Sequence, residues 1–172
     1  EFDHMFSVMQ PCGVMYRLFD IERAVEATAY LKQQSKIPML IASNLEKGGN
    51  GIVTEGTMLG SPMAIAATGD VEMARKLGRL CGREGAAVGA NWAFAPIIDI
   101  DYNFRNPITN TRTFGSNPDT VRDFGVAYVE EVQKCGLAAS IKHFPGDGCD
   151  ERDQHLVTSI NDMDCEEWDR TL

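Results

Sequence analysis

The sequence predicts an α/β fold, a parallel sheet overlaid by helices. Two observations carry this reading. Short apolar runs alternate with segments of helical periodicity, and every run ends abruptly in polar residues. Strands this apolar have both faces covered, as in a parallel sheet with helices outside. About four βα units can be counted in the 172 residues. A closed barrel needs eight and typically about 250 residues, so the chain is either half a barrel or a smaller open sheet.

The elements follow in order. Gly13 to Phe19 (GVMYRLF) is the first candidate strand. Asp20 then caps a helix to about Ser35, with Ile21, Val25, Thr28 and Leu31 on one face. Pro38 ends it, and Met39 to Ala42 forms a second strand that runs into the polar, glycine-rich segment Ser43 to Gly51. Asp70 caps the next helix, with Val71, Ala74, Leu77 and Cys81 aligned. Trp92 to Ile98 is a third strand, ending in Asp99-Ile100-Asp101 and a long loop to Ser116. Asn117-Pro118 is a cap followed by proline at the first helical position. Val121, Phe124, Tyr128 and Val132 line that helix, and Gly136 stops it. Ala138 to Ile141 is the fourth strand, and Asp164 with Glu167 makes a capping box for a last helix.

The net charge of −9 argues against a nucleic-acid-binding surface. No run is long enough to cross a membrane and no signal-peptide pattern is present. Five cysteines without CxxC spacing read as reduced thiols of a cytoplasmic protein. His143, Cys149 and His155 match no common zinc spacing, and neither a metal nor another cofactor is expected.

In a βα array all strand ends point to one rim, where α/β proteins build their sites. Asn44 and Glu46, Asp99 and Asp101, and Lys142 and His143 should therefore converge. Two of the three histidines lie between Ala138 and His155. Asp153 and His155 are i and i+2; in an extended loop they project to the same side, and the carboxylate can fix the imidazole as a general acid/base. An isolated Asp-x-His is weak evidence by itself and more often a pair of neighbours in a surface loop. Lys142 and His143 supply donors for hydroxyls, carboxylate or phosphate, or else a salt bridge and a satisfied histidine. Arg112 either clamps an oxygen-rich substrate or pairs with Asp99, and its sequence context favours pairing. Gly146-Asp147-Gly148 lacks the lysine and hydroxyl residue of a phosphate loop.

Lys142 to Gly148 (KHFPGDG) resembles the KHFPGHG signature of family 3 glycoside hydrolases, in the β-N-acetylhexosaminidase branch. Asp153-Gln154-His155 falls where that branch carries its Asp-x-His dyad. Ala95-Pro96-Ile97-Ile98-Asp99 resembles its AP-x-x-D strand, and Asn106-Pro107 with Arg112 to Gly115 its NP…R-S/T-FG segment. Pro38 to Gly49 resembles its third strand and following loop, and Gly13 to Phe19 echoes its GGVILF strand.

The resemblance covers nearly the whole chain and implies a TIM-type (β/α)₈ barrel. Residues 1–172 would then be the N-terminal and central part of the catalytic barrel, roughly half of it. It implies retaining hydrolysis of terminal β-linked N-acetylhexosamine. His155 would be the acid/base and Asp153 its orienting partner. Lys142, His143, Arg112, Asp99 and Asn44 would surround a small amino-sugar glycoside. Asn44 and Asp147 depart from the family's Asp and His, and the resemblance places the nucleophilic Asp beyond residue 172. The alternatives are a β-glucosidase or glycoside phosphorylase of the same family, or a non-catalytic carbohydrate-binding module. Open barrel edges would also favour self-association.

Overall fold

The computed structural model describes residues 2–171. Four parallel strands form one sheet in the order β1-β2-β3-β4. They are β1 (Gly13–Met15), β2 (Leu40–Ser43), β3 (Trp92–Ala93) and β4 (Ala138–Ala139). Helix α1 (Phe2–Val8) precedes the sheet. The crossovers are α2 (Ile21–Gln34), then α3 (Pro62–Ala66) with α4 (Val71–Ala87), and α5 (Pro118–Lys134); α6 (Cys165–Thr171) follows. Four parallel strands in sequence order are half the complement of a (β/α)₈ barrel.

The helix starts are local chemistry. Asp20, Asp70 and Asn117 each accept a backbone N–H from their own first turn, at 2.9, 3.0 and 3.0 Å. Asp164 does the same for α6, accepting from the Glu167 amide at 2.8 Å. Gly136, at φ 86°, takes the left-handed conformation that ends α5.

The core lies between sheet and helices, around Ile41, Leu45, Ile52, Leu77, Cys81, Tyr128 and Val132. Helices α4 and α5 approach closely because Gly78 faces the Tyr128 backbone, where a Cβ would sit 2.4 Å from its carbonyl oxygen. At the strand bottoms the Asn91 amide, just before β3, clips onto the β2 stretch, accepting from Ile41 N (2.8 Å) and donating to Met39 O (2.9 Å).

Three expectations change. Helix α2 buries Ala24, Thr28 and Leu31, while Ile21 and Val25 are about half exposed. Thr28 fixes this rotation, since its hydroxyl donates to Val88 O at 2.8 Å and bonds the Tyr16 phenol at 3.0 Å. Small Ala24 then lets the helix lie close. The strands are also shorter than their apolar runs. Pairing of β3 with β4 lapses after Ala93 and resumes at Ile97, which bridges Lys142 in parallel, with Ile98 N donating to Lys142 O at 2.8 Å. That second registration sets Asp99 beside His143. Finally, α1, α3 and two 3₁₀ turns, Gly49–Gly51 and Asn110–Arg112, fill segments without a strong periodic signal.

Candidate active site at the carboxyl rim

The polar residues at the ends of β2, β3 and β4 meet on one rim. Glu46 is the centre of the first cluster. Its carboxylate accepts from Arg112 Nε at 3.0 Å and Nη2 at 2.9 Å, and from Lys142 Nζ at 2.7 Å. Lys142 Nζ also donates to Asn44 Oδ1 at 2.9 Å, and Arg112 Nη1 donates to Ile108 O at 2.8 Å. Burial pushes the Glu46 pKa up, but the hydrogen bonds from Arg112 and Lys142 outweigh it and hold the carboxyl below its ordinary range. Asn44, Glu46, Lys47, Asn50, Gly51 and Arg112 line a cavity of about 300 Å³. Gly51 permits the tight loop there, because a Cβ would lie 1.8 Å from Asn44 O.

The second cluster is built on Asp99, which is 1% exposed. Its Oδ2 accepts from His143 Nδ1 at 2.7 Å and from the His143 amide at 3.0 Å; Oδ1 accepts from the Asp147 amide at 2.8 Å. Burial raises its pKa, yet the His143 ring and the two amides leave it net lowered. The His143 tautomer is thereby set with Nδ1 protonated and Nε2 free. The two clusters adjoin, since Lys142 of the first and His143 of the second are consecutive residues.

Asp153 and His155 stand apart on the loop that follows. Asp153 Oδ1 accepts from His155 Nδ1 at 2.7 Å and from the His155 amide at 2.8 Å. These two bonds lower the Asp153 pKa. The segment is a turn and not the extended loop expected: Leu156 N and Val157 N both return to Asp153 O, at 2.9 and 3.0 Å. A carboxylate that grips the next-but-one backbone amide closes such a turn by itself. The His155 side chain is 70% exposed. The loop's base is anchored to the rim, because Asn106 Nδ2 donates to Asp147 O and Asp150 O at 2.5 and 2.7 Å. Burial and then the Asp99 charge raise the Asp147 pKa.

Of the residues singled out in the sequence, Asn44, Arg112 and Lys142 therefore join one cluster, Asp99 and His143 the next, and Asp153 with the exposed His155 a separate pair on the following loop. Arg112 pairs with Glu46 and not with Asp99, whose carboxylate oxygens are engaged by His143 and Asp147. In the sequence Glu46 is only one of several strand-end groups. Its signal was its place two residues after Asn44 on the same strand end, but nothing in the sequence showed that two distant cations would share it. Among the described residues no group of three or more His, Cys, Asp or Glu could hold a metal ion, and no helix is long and apolar enough to cross a membrane.

A parallel βα array with charged groups gathered on its carboxyl rim defines the class: a TIM-barrel-like α/β domain with its site at the strand ends. The sequence model of the glycosyl hydrolase family 3 N-terminal domain matches residues 4–171. The chain belongs to that family. It is 54% identical over 157 residues to a β-N-acetylglucosaminidase/β-glucosidase of Cellulomonas fimi, covering 91% of this chain and 28% of the relative. Among solved structures, the β-glucoside phosphorylase BglX superposes with a TM-score of 0.93 at 50% identity, over 97% of this chain and 31% of that one. A family 3 β-N-acetylglucosaminidase from Paenibacillus sp. str. FPU-7 gives 0.91 at 30%, over 98% and 34%. The chain thus spans about a third of the length of these relatives.

Proposed function

We propose that this chain carries the acid/base and sugar-holding part of a retaining glycosidase site acting on terminal β-linked N-acetylhexosamine. The observation that carries this is the Asp153–His155 pair. Its Nδ1–H bond to a carboxylate leaves His155 Nε2 as the working nitrogen. In the first half-reaction the imidazolium gives its proton to the glycosidic oxygen as that C–O bond breaks and the anomeric carbon bonds to a carboxylate nucleophile. In the second, the neutral ring takes a proton from the water that attacks the anomeric carbon and expels that carboxylate. Asp153, held ionised below its ordinary range, orients the ring and stabilises its cation. Asn44, Arg112, Lys142 and His143 hold the terminal sugar, with Arg112 and Lys142 donating to its hydroxyls; Asp99, buried with both oxygens taken, orients His143 from behind and does not touch the sugar. The loop of His155 closes over the bound sugar to bring the ring to the bond. Retention also needs a carboxylate nucleophile, which the family resemblance assigns beyond residue 172.

The test is titration of the chain with N-acetylglucosamine, read by NMR. Shifts are expected at Asn44, Arg112, Lys142 and His143, and they vanish in Lys142→Ala. A titration that leaves these resonances unmoved rejects the reading.

A second reading is phosphorolysis. Its support is the 50% identity to a protein named a β-glucoside phosphorylase. A neutral imidazole does not repel incoming phosphate as a carboxylate base would. Product analysis with and without phosphate separates the two, free sugar marking hydrolysis and sugar 1-phosphate marking phosphorolysis. Self-association also has support, because apolar grooves border both ends of the sheet: one beside β1 with Val14, Met15 and Phe19, the other beside β4 with Ile98, Val126 and Ile141.

A further inference from the structure

We infer that Glu46 sets the charge selectivity of the rim cavity, keeping it open to neutral hydroxyls and closed to oxyanions. The inference rests on the sugar-binding reading above. Arg112 and Lys142 are the kind of paired cations that bind phosphate or carboxylate. Here their charge is already met from below by one carboxylate, which touches Arg112 at 2.9 and 3.0 Å and Lys142 at 2.7 Å.

The donor inventory points the same way. An arginine has five N–H donors and a lysine three. Arg112 spends three, on Glu46 twice and Ile108 once, and Lys142 spends two, on Glu46 and Asn44. Spare N–H groups remain on both side chains, enough to bind hydroxyl oxygens. An oxyanion could use the same donors, but it would enter beside the Glu46 carboxylate. Glu46 stays ionised, since the two cations keep its pKa low despite burial.

Among the described residues no second carboxylate touches Arg112 or Lys142. Asn44 is neutral. Asp99, the next carboxylate, has its oxygens taken by His143 and Asp147. Lys47 on the cavity wall adds a further positive charge. Arg112, Lys142 and Lys47 against Glu46 leave two net positive charges; without Glu46 there would be three, and the donors of Arg112 and Lys142 would be freed. At these separations a unit charge in a partly buried site changes an anion's affinity by about tenfold or more.

The experiment compares the wild-type chain with Glu46→Gln, titrating each with inorganic phosphate and with N-acetylglucosamine and reading the resonances of Arg112 and Lys142. The expected result is opposite signs: phosphate binds Glu46→Gln at least tenfold more tightly, while the sugar binds no better. A purely structural role for Glu46 weakens both ligands together. Phosphate affinity that stays level or falls in folded Glu46→Gln overturns the inference. Should that variant not fold, Asn44→Asp supplies the converse: a second carboxylate beside Lys142 lowers phosphate affinity, and an unchanged affinity overturns it. A wild type that ignores the sugar removes the sugar-binding reading, while the phosphate arm still decides the role of Glu46.

Discussion

Replacing Asp99 by asparagine tests whether the rim is held by one buried carboxylate. Asp99 accepts three N–H bonds, from the His143 ring (2.7 Å), the His143 amide (3.0 Å) and the Asp147 amide (2.8 Å). Asparagine offers one oxygen in place of two. Turned toward His143, it faces the Asp147 amide with its own NH₂; turned the other way, it leaves both His143 donors unpaired. Each buried donor without a partner costs about 1–3 kcal/mol, and breaking a buried charge-assisted pair costs about 3–5 kcal/mol. Asp99→Asn should therefore lose about 3–5 kcal/mol at pH 7. For a domain of this size that is a fall in Tm of roughly 6–20 °C. Equilibrium urea unfolding followed by circular dichroism measures it. The pH dependence has a definite sign. The pKa of Asp99 is lowered on folding, so its contribution is complete above the ordinary Asp value of about 3.9 and is lost as pH falls through the lower folded value. The gap between wild type and variant should narrow below about pH 4. A loss under about 1 kcal/mol at pH 7, or a gap that persists unchanged at pH 2, would refute the argument.

Three further outcomes are expected. Gly78→Ala places a Cβ 2.4 Å from Tyr128 O and must push α4 from α5, costing about 1–3 kcal/mol, seen as a lower urea midpoint at constant slope. Asp147 carries a buried Oδ2 without a hydrogen-bond partner, and burial and then Asp99 raise its pKa. A raised acid loses stability as pH climbs through its folded value, so Asp147→Asn should melt above wild type at pH 7, with the gain gone below about pH 4; a lower Tm at pH 7 counts against this. The 172-residue chain should not turn over an aryl β-N-acetylglucosaminide above background, because retention needs a nucleophile, which the family resemblance assigns outside these residues. Robust turnover that disappears in His155→Ala would contradict it.

Much of this architecture is readable from short-range signals. Asp20, Asp70 and Asn117 cap their helices as their sequence contexts indicate, because a cap bonds only to its own first turn. The faces of α4 and α5 follow their periodicity for the same reason. The face of α2 does not. Its apolar residues admit two rotations, and the choice falls to Thr28, whose partners Tyr16 and Val88 lie on other elements. At the site, the Asp153–His155 bond spans two residues and could be foreseen, whereas its turn geometry could not. Arg112 and Glu46 are 66 residues apart, and only the fold makes them partners.

By itself the sequence determined the βα order, the starts of α2, α4, α5 and α6, the family and the set of polar residues at the strand ends. Each of these depends on interactions within a few residues or on a motif. The tertiary structure decided which of those residues touch: Lys142 and Arg112 on Glu46, His143 on Asp99, and the resumed β3–β4 registration that aligns them. Charged side chains at one rim have several possible partners of similar chemistry. The choice among them is made by strand registration and crossover packing, which are sums over the whole chain and are written in no single segment of it.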